Sequence, residues 1–165
     1  HFPKRTTDDT ESQAMARFAV VELPDATLPV PPQLALLREV CSRLQAQVKQ
    51  TTQATNRLHN LMACVFPELA TLADDFSACW LLRLLERYPT AERIAAAHLR
   101  SIEQIPYLPT EQAEPLHQAA KQSVGSLRGD VAESLVRELV TQLGYCLDHE
   151  EKLRQLGCRM RRVPA

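Results

Sequence analysis

The sequence predicts an all-α fold, in which two long helices form an antiparallel coiled-coil hairpin and a small helical cap lies between them. Hydrophobic residues make up 45% of the chain, whereas aromatic residues make up 5%, and 165 residues contain only four glycines. That balance favours helices over sheets. In addition, apolar or small residues recur at alternating spacings of three and four along two long segments, which is typical of coiled-coil helices.

The first 32 residues predict a short helix followed by an extended strap. Thr7 or Asp8 can cap a helix that runs to about Phe18, with Glu11 as the acidic residue of its first turn. Residues 24–32 then contain four prolines. Because proline cannot continue a helix, this stretch is expected to be extended.

Residues 33–66 predict the first coiled-coil helix, since they contain neither proline nor glycine. The spacing places ten residues along one seam of the helix. They are Leu34, Leu37, Cys41, Leu44, Val48, Thr51, Thr55, Leu58, Met62 and Val65. The polar centre at Thr51 and Thr55 indicates a bend, a partner contact or a fixed helix register. The alternative is that the seam simply tolerates polar residues at these positions.

Residues 67–128 predict a small helical cap. Its core is expected to contain Trp80, Leu81, Leu84 and Leu85. The prolines at 89, 106 and 109 mark breaks between helices. The expected helices are 68–76, 77–88, 91–98, a short turn at 101–105, and 110–124.

Residues 129–165 predict the second coiled-coil helix, with Asp130 as its N-cap. Its seam is poorer than the first because it includes Glu150 and Gly157. At 1.5 Å per residue each long helix spans about 50 Å, so a hairpin is the economical way to bury both seams. Homodimerisation through either seam is the competing arrangement, and the two can coexist. The seam residues are Val136, Leu139, Leu143, Cys146, Glu150, Leu153, Gly157 and Met160.

The composition excludes several classes of protein. A net charge of -1 gives no global basic field, so any contact with nucleic acid is local or is supplied by other parts. The five cysteines lack the close spacing of a zinc or redox pair, and most are expected to be small buried hydrophobes. Reduced thiols favour the cytoplasm. No stretch reaches the roughly 20 apolar residues of a membrane span, so we expect no membrane partner.

Asp8 and Glu11 are the candidate metal ligands. Three residues apart on a helix, they project from one face. Paired carboxylates at that spacing can hold Mg²⁺, which prefers oxygen ligands. The alternative is that both only cap the helix and favour its dipole.

Two further segments are candidates for nucleic-acid contact. Residues 102–116 have the apolar spacing of a helix-hairpin-helix, but Tyr107 and Pro109 stand where that motif has glycines, so a structural turn is the competing interpretation. The basic residues of the C-terminal helix end can contact phosphates or stabilise the helix terminus. That basic cluster consists of Lys152, Arg154, Arg159, Arg161 and Arg162.

A self-contained hydrolase or nucleotide enzyme is disfavoured. The chain has no Gly-rich phosphate loop, and its histidines and serines are scattered without the setting of a nucleophile. The chain begins with His1 rather than Met and stops just after a long helix, so we expect a fragment of a longer protein.

Four segments in order resemble the DEDD-type insertion-sequence transposases, also called bridge-RNA-guided recombinases. Residues 7–17, TDDTESQAMAR, fall on the motif that ends the RuvC-like domain of that family. Residues 23–29 resemble its proline-marked strap, 56–69 the end of its first long helix, and 85–90 its helical insertion. The likeness covers nearly the whole chain, and the order of the segments is more specific than any one of them.

The resemblance implies a division of the chain into 1–32 (RuvC-like end and strap), 33–66 and 129–165 (coiled coil) and 67–128 (insertion). It makes Asp8 and Glu11 the last two of four catalytic, Mg²⁺-binding carboxylates. The family has aspartate where Glu11 stands and lysine where Thr6 stands.

The parent protein would then be a DNA recombinase that moves an insertion sequence with a guide RNA. This part would be its scaffold, inactive alone, which dimerises through the coiled coil and contacts DNA or RNA. The alternative function is a non-catalytic helical protein-interaction module.

The hairpin predicts that each long helix needs the other. Changing Leu44 and Leu139 together to Asp places a carboxylate in each seam, which should abolish most of the helical signal in circular dichroism. An unchanged spectrum would contradict the hairpin.

Overall fold

A computed structural model describes the backbone of residues 8–21 and 31–161, and the side chains of 12–18 and 31–160. Within these ranges every regular element is a helix, which confirms the all-α class. No helix in the described ranges is both long and apolar enough to cross a membrane. The elements are α1 Asp8–Val21, α2 Pro32–Val65, α3 Leu69–Leu72, α4 Cys79–Arg87, α5 Ala91–Ala96, α6 Leu99–Glu103, a 3₁₀ turn at Thr110–Gln112, α7 Ala113–Lys121 and α8 Asp130–Arg161.

The chain divides into two compact units, residues 1–35 and 36–165. In the first unit, α1 begins at Asp8 as predicted and continues past Phe18 to Val21. Most of the predicted strap lies outside the described residues. Pro32 is the first residue of α2, where its fixed φ suits a helix and its missing N–H leaves no intrahelical bond unmade.

In the second unit the two long helices pack against each other. A hydrophobic cluster shared with the cap contains Leu58 and Met62 of α2 together with Val136 and Leu143 of α8. Just before α8 begins, Ser126 N donates to Cys64 O of α2 at 2.8 Å. Two contacts join α2 to α8 itself: Gln47 Nε2 donates to Cys146 O at 3.1 Å, and Val40 Cγ1 lies 3.7 Å from where a Cβ on Gly157 would stand. These contacts follow opposite sequence order along α2 and α8.

The predicted seam of α8 is confirmed, because all eight of its positions are buried or half-buried. The predicted seam of α2 is partly wrong. Leu34, Cys41 and Val48 are exposed, and the helix buries Val40, Gln47 and Ala54, each one residue before the predicted positions 41, 48 and 55. Apolarity favours Val48 over Gln47, but the Gln47 amide is satisfied by the Cys146 carbonyl, which removes most of the penalty for burying it.

The cap has the predicted helix order with shorter helices. The helix expected over 68–76 is a single turn, α3, because Ala73 is extended. Asp75 Oδ1 then accepts hydrogen bonds from both the amide and the hydroxyl of Ser77, a local turn that competes with helix. The last cap helix begins as a 3₁₀ turn and ends at Lys121 rather than 124.

The core of the cap lies where it was predicted, with one exception. Leu81, Leu84 and Leu85 of α4 are fully buried, whereas Trp80 is only half-buried. Helix α4 packs against α8, and α5 packs against α7. The cap and α8 therefore share one hydrophobic core.

The connection from the cap into α8 is fixed against the end of α2. Glu68 accepts hydrogen bonds from Ser123 Oγ at 2.7 Å and from Val124 N at 3.0 Å. A Cβ on Gly125 would overlap the Val65 carbonyl group, so only glycine allows the chain to pass this closely. Gly129 has a φ of +85°, which lets the chain turn into α8.

Two glycine substitutions should have opposite effects on stability. Gly125→Ala should lower the free energy of unfolding by about 1–3 kcal/mol, since the backbone must move to relieve the overlap. Gly144→Ala should raise it by about 0.5–1 kcal/mol, because Gly144 lies inside α8 with open space around its Cβ position. Urea denaturation measures both. An unchanged free energy of unfolding in the Gly125→Ala variant would contradict the close approach.

Candidate functional site

The two predicted metal ligands lie in the first turn of α1. The helix begins at Asp8, and Glu11 follows three residues later, so the backbone places both on one face. The side chains of both residues lie outside the described set. A magnesium site at this pair therefore stays a prediction.

Among the described side chains, no group of three or more His, Cys, Asp or Glu residues converges on a possible metal position. The cysteines differ from the expectation of buried hydrophobes. Cys146 is half-buried in the seam of α8, but the other four are exposed. The exposure of these cysteines could not be predicted from the neighbouring sequence, because an apolar helical stretch does not show which of its residues face another element.

The apolar framework of the hairpin-like segment is confirmed. Ile102, Ile105, Ala113 and Leu116 are all buried, on either side of a tight turn. Tyr107 occupies a glycine position of the motif and has a φ of +67°. A non-glycine residue in that conformation is strained, and it persists only where the surrounding structure imposes it. The side chain of Tyr107 is 81% exposed.

The turn nevertheless lacks the chemistry of a phosphate site. The Leu108 amide donates to the Ile105 carbonyl at 3.2 Å, and Pro109 has no amide to offer. The exposed neighbours Glu103, Glu111 and Glu114 add negative charge, which opposes a phosphate. These contacts favour the structural-turn interpretation.

The basic cluster at the end of α8 is partly neutralised. Lys152 pairs with Asp148, and Arg154 pairs with Glu150 at 2.6 Å, each within the helix. Arg159 is exposed. The Arg161 side chain and Arg162 lie outside the described residues. The Lys152–Asp148 pair is exposed and contributes less than about 1 kcal/mol, so Lys152 can exchange its carboxylate for a phosphate. Arg154 is exposed, but its partner Glu150 is buried.

The buried polar residues of the two long helices include Gln47 and Thr51 on α2 and Glu150 on α8. Of these, Thr51 and Glu150 were predicted in the seams and Gln47 was not. Gln47 is satisfied across the interface by Cys146 O, Thr51 by its own helix, and Glu150 by Arg154. A buried polar group in a coiled coil fixes the register of the helices at some loss of stability.

A second feature joins the cap to α8. Glu133, buried in the first turns of α8, accepts a hydrogen bond from Arg93 Nε of α5 at 2.6 Å, and Arg137 Nη2 lies 3.7 Å away. The hydrogen bond from Arg93 lowers the pKa of Glu133, and the same contact raises the pKa of Arg93. Forty residues separate Arg93 from Glu133, so no local pattern could predict the pair.

The described residues therefore present charged and aromatic surfaces on a helical framework. The sequence matches no protein-family model and no curated protein. Chemically, the described part offers exposed guanidinium and ammonium groups at one end of α8 and an exposed tyrosine on the cap.

Two carboxylates should make the stability of this unit fall in acid. The pKa of Glu133 is lowered, and so is that of Glu68, where burial alone would raise it but the hydrogen bonds from Val124 and Ser123 prevail. Lowered pKa values stabilise the fold above the ordinary value of 4.5, and this stabilisation is lost as pH falls through the folded-state values.

Urea midpoints measured from pH 7 to pH 3 should show this loss. Glu133→Gln and Glu68→Gln should each lower stability at pH 7 and flatten its decline in acid. Glu103→Gln, at an exposed site on α6, controls for removal of one carboxylate. The same acid slope in wild type and both buried-site variants would contradict these roles.

Proposed function

We propose that this chain is the scaffold part of a DEDD-type transposase, a DNA recombinase that moves an insertion sequence in the cytoplasm with the help of a guide RNA. The observation that supports this most is the order of elements. A short helix with an acidic first turn precedes a long helix, a small helical cap and a second long helix packed on the first. The sequence motifs of the resemblance occur in the same order.

In this proposal α2 and α8 form an antiparallel coiled-coil hairpin. Support comes from the two contacts that join them in opposite sequence order, and from the buried and half-buried positions at spacings of three and four along α8. The cap would then lie at one end of the hairpin. The start of α2 and the end of α8 would form the other end, which we call the base.

The catalytic role proposed for Asp8 and Glu11 belongs to the parent protein. Carboxylate oxygens one helical turn apart are a suitable partial ligand set for Mg²⁺. The metal would supply charge stabilisation and an activated oxygen nucleophile for DNA strand exchange. By the resemblance, the other two carboxylates and a C-terminal domain with a catalytic serine would lie outside this chain, so the chain alone is expected to be inactive.

The proposed partners are DNA, a guide RNA and a second copy of the chain. Exposed cations at the base are the surface we propose for phosphate contact: Arg38, Arg43, Lys152, Arg154 and Arg159. A local surface of this kind is compatible with a net charge of -1 for the whole chain. Homo-oligomerisation would use the faces of the long helices that remain exposed.

A non-catalytic protein-interaction module is the second candidate. It is favoured by large side chains left in solvent, namely Tyr107 on the cap and Val131 and Tyr145 on α8. Exposed aromatic residues are common at the centres of protein interfaces. This module would bind a protein partner without nucleic acid.

Phosphate contact at the base predicts a specific salt dependence. Changing Arg38, Lys152 and Arg159 to Gln should weaken binding to a duplex oligonucleotide or an RNA hairpin. It should also reduce the slope of log K against log salt by about one for each phosphate that the variant no longer binds. Filter binding at several salt concentrations measures the slope.

The matched control removes three cap cations, Arg83, Arg87 and Arg100, for the same change in charge. Equal reductions in affinity in the two triple variants would contradict a base-specific contact. A chain that binds a protein partner tightly and shows no salt-dependent nucleic-acid binding would favour the module. Sequencing the DNA around the reading frame separates the two further, since the transposase requires upstream Asp and Glu codons and a downstream serine-bearing domain.

A further inference from the structure

Helix α2 carries two overlapping stripes, and the structure buries only one of them. The inner stripe is Val40, Gln47 and Ala54, all buried. The outer stripe is Cys41, Val48 and Thr55, of which Cys41 and Val48 are exposed and Thr55 is half-buried. Both stripes share the same alternate positions, Leu37, Leu44, Thr51 and Leu58. Either one completes a seam with alternating spacings of three and four.

The two stripes offer α8 comparable surfaces. The inner stripe buries the Gln47 amide, which is 7% exposed and needs its hydrogen bond to Cys146 O. It also leaves Val48 40% exposed. The outer stripe would bury Val48 and return Gln47 to water. Each arrangement buries a group that the other leaves in solvent, which is the condition for a helix pair with two packings of similar free energy.

The part of α2 next to the cap is fixed differently. There Met62, which belongs to the outer register, is fully buried, and Leu61 beside it is half-buried. The buried positions thus change register between Ala54 and Met62. Because α2 already changes from the inner to the outer register within this stretch, the stripe that faces α8 can also change there.

This change of register coincides with a weakened stretch of α2. The hydroxyls of Thr51, Thr52 and Thr55 all donate to carbonyls four residues earlier. Such bonds destabilise a helix slightly and often bend it. On α8, Gly144 lies two residues from the Cys146 carbonyl that receives the Gln47 amide, and it has no neighbour around its Cβ position.

We propose that residues 37–51 of α2 exchange between two rotational positions on α8, one with the inner stripe and one with the outer stripe buried. The exchange turns this segment about its axis by about 50°, half of the 100° between successive residues. Thr51, Thr52 and Thr55 absorb the twist, and the cap-bound end stays in place. The hydrogen bond from Gln47 to Cys146 O forms only in the inner position, and it therefore stabilises that position. This device does not depend on the proposed recombinase function.

Disulfide trapping tests the exchange at Gly157, which faces Val40 at 3.7 Å. In a chain whose other cysteines are changed to Ser, Val40→Cys with Gly157→Cys reports the inner position. Native Cys41 with Gly157→Cys reports the outer position. Glu39→Cys with Gly157→Cys is the matched control, since position 39 flanks Val40 on the other side. Mild oxidation at low protein concentration, followed by non-reducing electrophoresis, gives the rate of each intramolecular bond.

The proposal predicts that the pairs from positions 40 and 41 both form, and at least tenfold faster than the control pair. It also predicts that Gln47→Leu, which stabilises the inner position without a hydrogen bond, slows the Cys41 pair at least tenfold. Gln47→Lys, which cannot be buried without a partner, should accelerate it. Circular dichroism shows whether each variant is folded, and the Gln47→Leu result stands without the Lys variant. If the Cys41 pair is as slow as the control, or if Gln47→Leu leaves its rate unchanged, the exchange is ruled out.

Discussion

The long helices of this chain depend on each other because neither can bury its apolar face alone. Helices of 34 and 32 residues bring many hydrophobic side chains into line, and in water such a helix is stabilised mainly by packing against a partner. The contact between α2 and α8 supplies that packing. The close approach at Gly125 and the amides that donate to Cys64 O hold the connection into α8 against the end of α2. Of the cap helices, α4 packs directly against α8, and α3, α5 and α6 pack against α7.

The cap extends the same core. Leu84 and Leu85 belong to the cluster that contains Leu58 of α2 and Leu143 of α8, so the cap and the two long helices share one core. The Arg93–Glu133 pair adds a charged contact at the edge of that core. The buried polar residues Gln47, Thr51 and Glu150 lie on the two long helices, apart from this charged contact. In the proposed hairpin, a change of packing at Gln47 would alter the base while leaving the cap unchanged.

The sequence predicted most of the fold because helix periodicity and proline breaks are local signals. All eight predicted seam positions of α8 are buried or half-buried, but the helix also buries Val140, beside the seam, because α4 of the cap packs against α8. The seam of α2 was displaced by one residue because the partner that satisfies Gln47 is a main-chain carbonyl 99 residues away. The same reason explains why the Arg93–Glu133 pair and the positive φ of Tyr107 were not predicted. For the candidate site, the sequence predicted that Asp8 and Glu11 lie in the first turn of a helix. It could not predict a complete metal site, because the other ligands would come from residues elsewhere.

Hydrogen exchange measured by mass spectrometry tests most directly whether α2, α8 and the cap form one cooperative unit. Leu58 lies at the centre of the shared core, and Leu58→Asp introduces a charge there that cannot be solvated. If they form one unit, peptides from α2, the cap and α8 lose protection together in this variant, whereas the exposed-site variant Asn56→Asp leaves protection intact. Retained protection of α8 in the Leu58→Asp chain would show that α8 is stable without α2 and that the three parts do not form one unit.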